Sequence, residues 1–257
     1  MKNVDFGLTA IDYAQHRAGF PTSLFERLVE FGIGRTNQKL VDLGTGAGSL
    51  ARGFALRGCQ VIGIDPAEDM LAQARQLDQD AGVNIDYKVA TAEDSGLPAN
   101  RADVVTAGQC WHWFDRPAAT REVTRILHPG GRLLIAHFDW IPIAGNVVAA
   151  TEALIEKHNP NWAMGGGTGL YPQWLRGLSE AGYQNIQTFS YDEHVSYTPE
   201  AWRGRIRASA GVGATLAPDQ VAVFDNELDA LLREKFPAKI LQVPHRVFAL
   251  IAKSPLD

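Results

Sequence analysis

Between residues 39 and 138, short apolar runs rich in β-branched residues alternate with stretches of helical periodicity. Lys39-Leu40-Val41-Asp42-Leu43 reads as a buried strand, 60–64 as the next, and 83–89, 102–107 and 132–136 as three more. Helical patterns occupy 49–56, 67–77 and 117–127, the last opened by Pro117 at a position where a missing N–H costs nothing. Strand–helix alternation of this kind demands a parallel sheet covered by helices on both faces, with right-handed crossovers. Residues 186–191 and 246–252 read as strands that finish the sheet, and 198–236 as two helices. The flanks read as additions to one domain spanning 1–257: a helical lid segment at 1–37 and a helical, aromatic-rich insertion at 139–180.

Composition limits the rest. A net charge of −5 offers no basic stripe for a nucleic acid, so none is expected as a partner. No apolar run reaches the length of a bilayer-spanning helix, and the first residues lack the apolar core of a signal peptide. The two cysteines, Cys59 and Cys110, have no metal or redox spacing, which suits a reduced, cytoplasmic protein. No His/Asp/Glu cluster has metal-ligand spacing, so no metal is expected. The oligomeric state stays open.

The segment Val41-Asp42-Leu43-Gly44-Thr45-Gly46-Ala47-Gly48 follows a strand and opens a helix. Glycines let the backbone turn sharply and let a ligand lie against it, and the helix behind offers free N–H groups. Asp65, ending the second strand, can accept both hydrogen bonds of a ribose diol. A dinucleotide fingerprint would carry its third small residue where Ser49 stands, whereas here the third glycine, Gly48, comes one position early. Asp42 would repel a pyrophosphate and would welcome the ammonium of a methionine moiety.

These residues resemble the first two motifs of class I S-adenosylmethionine-dependent methyltransferases: Asp42 to Gly48, then Gly63-Ile64-Asp65-Pro66. Ala90-Thr91-Ala92-Glu93-Asp94-Ser95-Gly96-Leu97-Pro98 is similar to the third, and Pro129-Gly130-Gly131 to the turn before the fifth strand. Tyr13-Ala14-Gln15-His16-Arg17 and Gln109-Cys110-Trp111-His112-Trp113-Phe114 resemble the small-molecule subgroup of the ubiquinone-biosynthesis and trans-aconitate type (methyltransferase type 11). The resemblance implies a doubly wound, Rossmann-like α/β sheet of seven strands, mostly parallel with the last antiparallel, and S-adenosylmethionine as cofactor.

By motif, Asp42, Gly44, Thr45, Gly46 and Gly48 would line the methionine end, and Asp65 the ribose. Pro66, Met70, Ala92 and Glu93 would lie near the adenine, with Gln109 and Arg17 also on the cofactor side. Thr91 replaces an aspartate that the family often uses toward the adenine amino group. The subgroup implies a small-molecule acceptor methylated at oxygen, a carboxylate or hydroxyl. Trp111, Trp140, Tyr171 and Trp174 are candidates to wall its chamber, and His112 to serve as general base or orienting group. Two other readings stay open: a nicotinamide-dependent oxidoreductase, disfavoured by Asp42 and Ser49, and a catalytically silent cofactor-binding protein.

Overall fold

In a computed structural model, which describes residues 19–255, the sheet forms as the alternation demands. It contains β1 (Lys39–Leu43), β2 (Gln60–Asp65), β3 (Asp86–Val89), β4 (Ala102–Gly108), β5 (Leu127–Trp140), β6 (Gln184–Tyr197) and β7 (Leu241–Lys253). Their order is β3-β2-β1-β4-β5-β7-β6, with β7 antiparallel to both neighbours. The pairs β1–β2, β1–β4, β2–β3 and β4–β5 are parallel, with Val41 beside Ile62 and Val105. Strand order reverses between β1 and β4, and open α/β sheets bind ligands at the carboxyl edge of such a switch point.

The helices are α1 (Thr22–Glu30), α2 (Ser49–Ala55), α3 (Glu68–Ala81), α4 (Arg116–Ile126), α5 (Val147–His158), α6 (Gln173–Glu180), α7 (Pro199–Arg207) and α8 (Pro218–Lys235). Asp115 caps α4 by accepting from the Ala118 amide at 3.1 Å, and a proline follows inside the first turn. β6 and β7 run well beyond the apolar cores that announce them in the sequence, because their ends alternate apolar and polar residues as half-covered strands do, and β5 takes in Pro129-Gly130-Gly131, expected as a turn before it.

The chain divides into two compact units. The first comprises 19–138, 171–191 and 247 onward; the second comprises 139–170 and 192–246. The first holds the parallel strands, and its core joins Val41, Leu43, Ile64, Val105 and Ile135 to Trp174, Phe248 and Leu250. Leu24 and Leu28 of α1 are fully buried, and Phe25 meets Phe54 edge-on at 5.1 Å. The second unit packs α5, α7 and α8 around Trp202, Phe224, Leu228 and Ile155.

Arg203, Arg205 and Arg207, whose alternation suggests a solvated face, divide instead between two faces of α7. Arg203 and Arg207, one turn apart, both pair with Asp225 of α8, and Arg203 also reaches Asp229 at 3.1 Å. Arg205 lies over the Trp140 ring, 4.6 Å from its centroid. Among the described residues no helix is long and apolar enough to cross a membrane.

Candidate functional site

The glycine turn leaves β1 at the switch point. The Thr45 amide donates to the Ile64 carbonyl at 2.9 Å, tying the turn to β2, and the Gly48 amide donates to Thr45 at 2.9 Å. Gly44 has φ +62°, and a Cβ there would lie 2.9 Å from Cys110 Sγ and 3.0 Å from Phe114 Cζ. Only glycine satisfies both constraints, so Gly44 packs directly against the loop after β4.

Asp42 lies beneath the turn at 1% exposure. Its carboxylate accepts from the hydroxyls of Thr106 (2.5 Å) and Thr45 (2.7 Å). Burial pushes its pKa up to about 6, although both hydroxyl donors pull the other way. A buried carboxylate that ionises is a site that a cation can complete.

Asp65 holds the turn from the tip of β2. One oxygen accepts from the Gly46 amide at 2.8 Å and the other from the Ala67 amide at 2.9 Å. Burial raises its pKa despite those two donors. Carboxylate oxygens have a second lone pair each, so these bonds leave acceptor capacity for a diol. Met70 and Ala92 are buried and Pro66 is exposed. Glu93 accepts from the Asp115 amide at 2.9 Å, and the Thr91 hydroxyl accepts from the Asp94 amide at 3.3 Å. Thr91 thus shapes its own loop, and Glu93 ties that loop to the start of α4.

The loop after β4 lies beside the turn. Gln109 adopts φ +58°, unusual for a residue other than glycine, and its side chain donates to the Phe138 carbonyl. Cys110 Sγ donates to the Leu43 carbonyl at 3.1 Å, which couples the loop to the end of β1. Trp111 is 2% exposed and meets Phe114 edge-on at 5.8 Å, so it belongs to the core. His112 is half-buried, its ring 4.7 Å from Trp113 and 5.5 Å from His137.

His137 has no counterpart among the residues expected from the sequence. It sits on β5 at 1% exposure, with Tyr171 at 4.4 Å and Trp174 at 5.0 Å. Tyr171 and Trp174 stack parallel at 4.1 Å. A polar residue inside the apolar run of a strand is its only sequence signal. Of the four aromatic residues expected to wall the chamber, Trp111, Tyr171 and Trp174 belong to the first unit and Trp140 to the second. Trp140 donates to the buried Glu152 at 2.7 Å and packs edge-on against Trp202 at 5.5 Å. Arg17 and the segment around Tyr13 lie outside the described residues.

This sheet order, with a glycine turn after β1 and a carboxylate at the tip of β2, matches the Rossmann-like methyltransferase fold. Residues 41–135 match the family model described as a methyltransferase domain. An uncharacterized methyltransferase of Mycobacterium tuberculosis is 34% identical over 132 residues, 51% of this chain and 51% of the relative. The match therefore spans about half the length of that relative. The ubiquinone biosynthesis O-methyltransferase of Xanthomonas axonopodis pv. citri is 28% identical over 176 residues, 67% of this chain and 71% of the relative. Phosphoethanolamine N-methyltransferase 2 of Haemonchus contortus, solved with phosphomonomethylethanolamine and S-adenosylhomocysteine, has a TM-score of 0.56 at 20% identity. That alignment covers 97% of this chain and 57% of the other, and at that identity the likeness is one of fold.

Proposed function

We propose that the protein transfers a methyl group from S-adenosylmethionine to a small-molecule acceptor, at a carboxylate or hydroxyl oxygen. The observation that carries this reading is the buried Asp42 carboxylate under a glycine turn, with Asp65 across the turn at the tip of β2. The residues fit the group: Asp42 offers a negative, poorly solvated site for an ammonium. Asp42 and the turn would hold the methionine end, Asp65 the ribose hydroxyls, and Pro66, Met70, Ala92 and Glu93 the adenine side. Gln109 would close the cofactor side, and Arg17 would pair with a carboxylate. When bound, S-adenosylmethionine supplies a methyl on a sulfonium centre, open to in-line displacement. The chain's part is to align the acceptor oxygen, exclude water and keep that oxygen deprotonated. Tyr171 and Trp174 are assigned to the acceptor chamber with Trp111 behind them.

Calorimetry tests the cofactor. S-adenosylhomocysteine should bind, and NAD should not bind comparably; tight NAD binding overturns the assignment. Transfer of labelled methyl groups into a metabolite panel tests the activity. Binding without transfer to any acceptor would support a silent cofactor-binding protein instead.

His112 is assigned to the acceptor, as general base for a hydroxyl or as orienting group for a carboxylate. His112→Ala should keep S-adenosylhomocysteine affinity and lose roughly 10²–10⁴-fold in turnover on a hydroxyl acceptor, the usual scale of acid–base help. An already ionised carboxylate acceptor should lose far less. Steady-state kinetics on both acceptor types decide it, and equal rates for the variant and the wild type would reduce His112 to packing.

A further inference from the structure

Below the glycine turn, three polar side chains from three elements meet. Arg52 of α2 donates through Nε to Asp78 of α3 at 2.7 Å. Its Nη2 reaches the carbonyl of Ala47 at 2.9 Å and that of Ala74 at 3.2 Å. Asp78 is 4% exposed, and its other oxygen accepts from the Tyr87 hydroxyl of β3 at 2.8 Å. Burial, then the bond to Asp78, hold the Tyr87 phenol far above its ordinary range, so it remains a donor.

A buried ion pair is weak evidence for stability, since well-packed apolar residues commonly do as well. An apolar pair could cement α2 to α3, but it could not donate to Ala47, which lies between Gly46 and Gly48. The network also fills the space beneath the turn. A Cβ on Gly48 would lie 2.5 Å from the Tyr87 hydroxyl and 3.0 Å from Arg52 Nη2. Above, the Gly46 amide donates to Asp65. The turn is thus gripped twice, by its N–H from one side and by its C=O from the other.

We propose that Arg52 and Asp78, with Tyr87, are positioning residues that hold the Gly46–Gly48 backbone in the shape that receives the cofactor. The inference rests on the cofactor reading above only for what the turn receives. A turn that must be ordered on binding loses part of the contact energy to that ordering, whereas a braced turn does not.

Arg52→Lys tests it, because an ammonium keeps the charge and can pair with Asp78 but lacks the planar fork that reaches Asp78 and both carbonyls together. S-adenosylhomocysteine should bind about tenfold more weakly, with kcat at saturating S-adenosylmethionine within about twofold of wild type. Tyr87→Phe keeps the ion pair and should cost about threefold in affinity, which provides a second variant if the first folds poorly. Hydrogen exchange without ligand should quicken about tenfold at the Gly48 amide in Arg52→Lys and stay unchanged in β1. Unchanged affinity and unchanged Gly48 exchange, with only a lower melting temperature, would make the network a helix–helix staple and overturn the proposal. A wild type that fails to bind S-adenosylhomocysteine overturns the cofactor reading instead, and the ligand-free exchange separates the two failures.

Discussion

Asp65→Ala is expected to weaken S-adenosylhomocysteine binding by at least tenfold. The carboxylate accepts from the Gly46 and Ala67 amides at 2.8 and 2.9 Å, so its loss frees the turn as well as removing the acceptor proposed for the ribose. Charge-assisted bonds of this kind contribute roughly 1.5–3 kcal/mol each, and tenfold in affinity needs only about 1.4 kcal/mol. The two roles separate when the ligand is changed along with the protein. Removal of the ribose 2′-hydroxyl should weaken binding to wild type and make little difference to Asp65→Ala. Calorimetry with both ligands on both proteins measures that coupling. Unchanged affinity in Asp65→Ala would mean that the ribose sits elsewhere.

Asp42→Asn should strengthen the fold at neutral pH while it weakens the cofactor. The folded-state pKa of Asp42 is about 6 against an ordinary 3.8, because burial penalises the charge more than the two threonine hydroxyls relieve it. The sign follows from proton binding. The folded protein holds this proton more tightly than the unfolded chain, so the contribution is fully present below about pH 4. It is lost as pH rises through about 6. At neutral pH the ionised carboxylate therefore costs on the order of 3 kcal/mol without a partner cation. Asparagine is nearly isosteric and neutral, and its oxygen can still accept from a threonine hydroxyl. Denaturant unfolding should show the variant more stable than wild type at about pH 7.5 and no more stable at about pH 4. Conversely, wild-type affinity for S-adenosylhomocysteine should rise between about pH 5 and pH 7 as Asp42 ionises, and the variant should lose both the affinity and the pH dependence. A variant less stable than wild type at neutral pH would show that the hydroxyl bonds outweigh burial.

The parallel sheet and the glycine turn at its carboxyl edge were legible because their determinants are local. Lys39–Leu43 is a strand in the structure as in the pattern, since a short, mostly apolar run covered on both faces has few alternatives. The glycine turn is equally local. A positive φ at Gly44, Gly46 and Gly48 is a property of those residues, and the sequence names them outright. Asp42 and Asp65 follow from strand ends that the same pattern locates.

Partnerships across long sequence separations were decided by the tertiary structure alone. Nothing local in α2 marks Arg52 as half-buried and paired. It becomes so only when the crossover brings Asp78 and Tyr87 close to it. Arg203 and Arg207 look like a solvated face until α8 places Asp225 and Asp229 against them. His137 is an isolated polar residue in an apolar strand, and only the return of the chain at 171–174 surrounds its ring with Tyr171 and Trp174. Trp174 and Trp140, aromatics of one insertion in the sequence, fall in different compact units. Backbone conformation and burial periodicity are written in consecutive residues, so the sequence by itself determined the sheet, the turn and the carboxylates at its strand ends. The choice of partner for a buried charge or ring depends on which distant segments the fold brings within a few ångströms, and only the tertiary structure decided that.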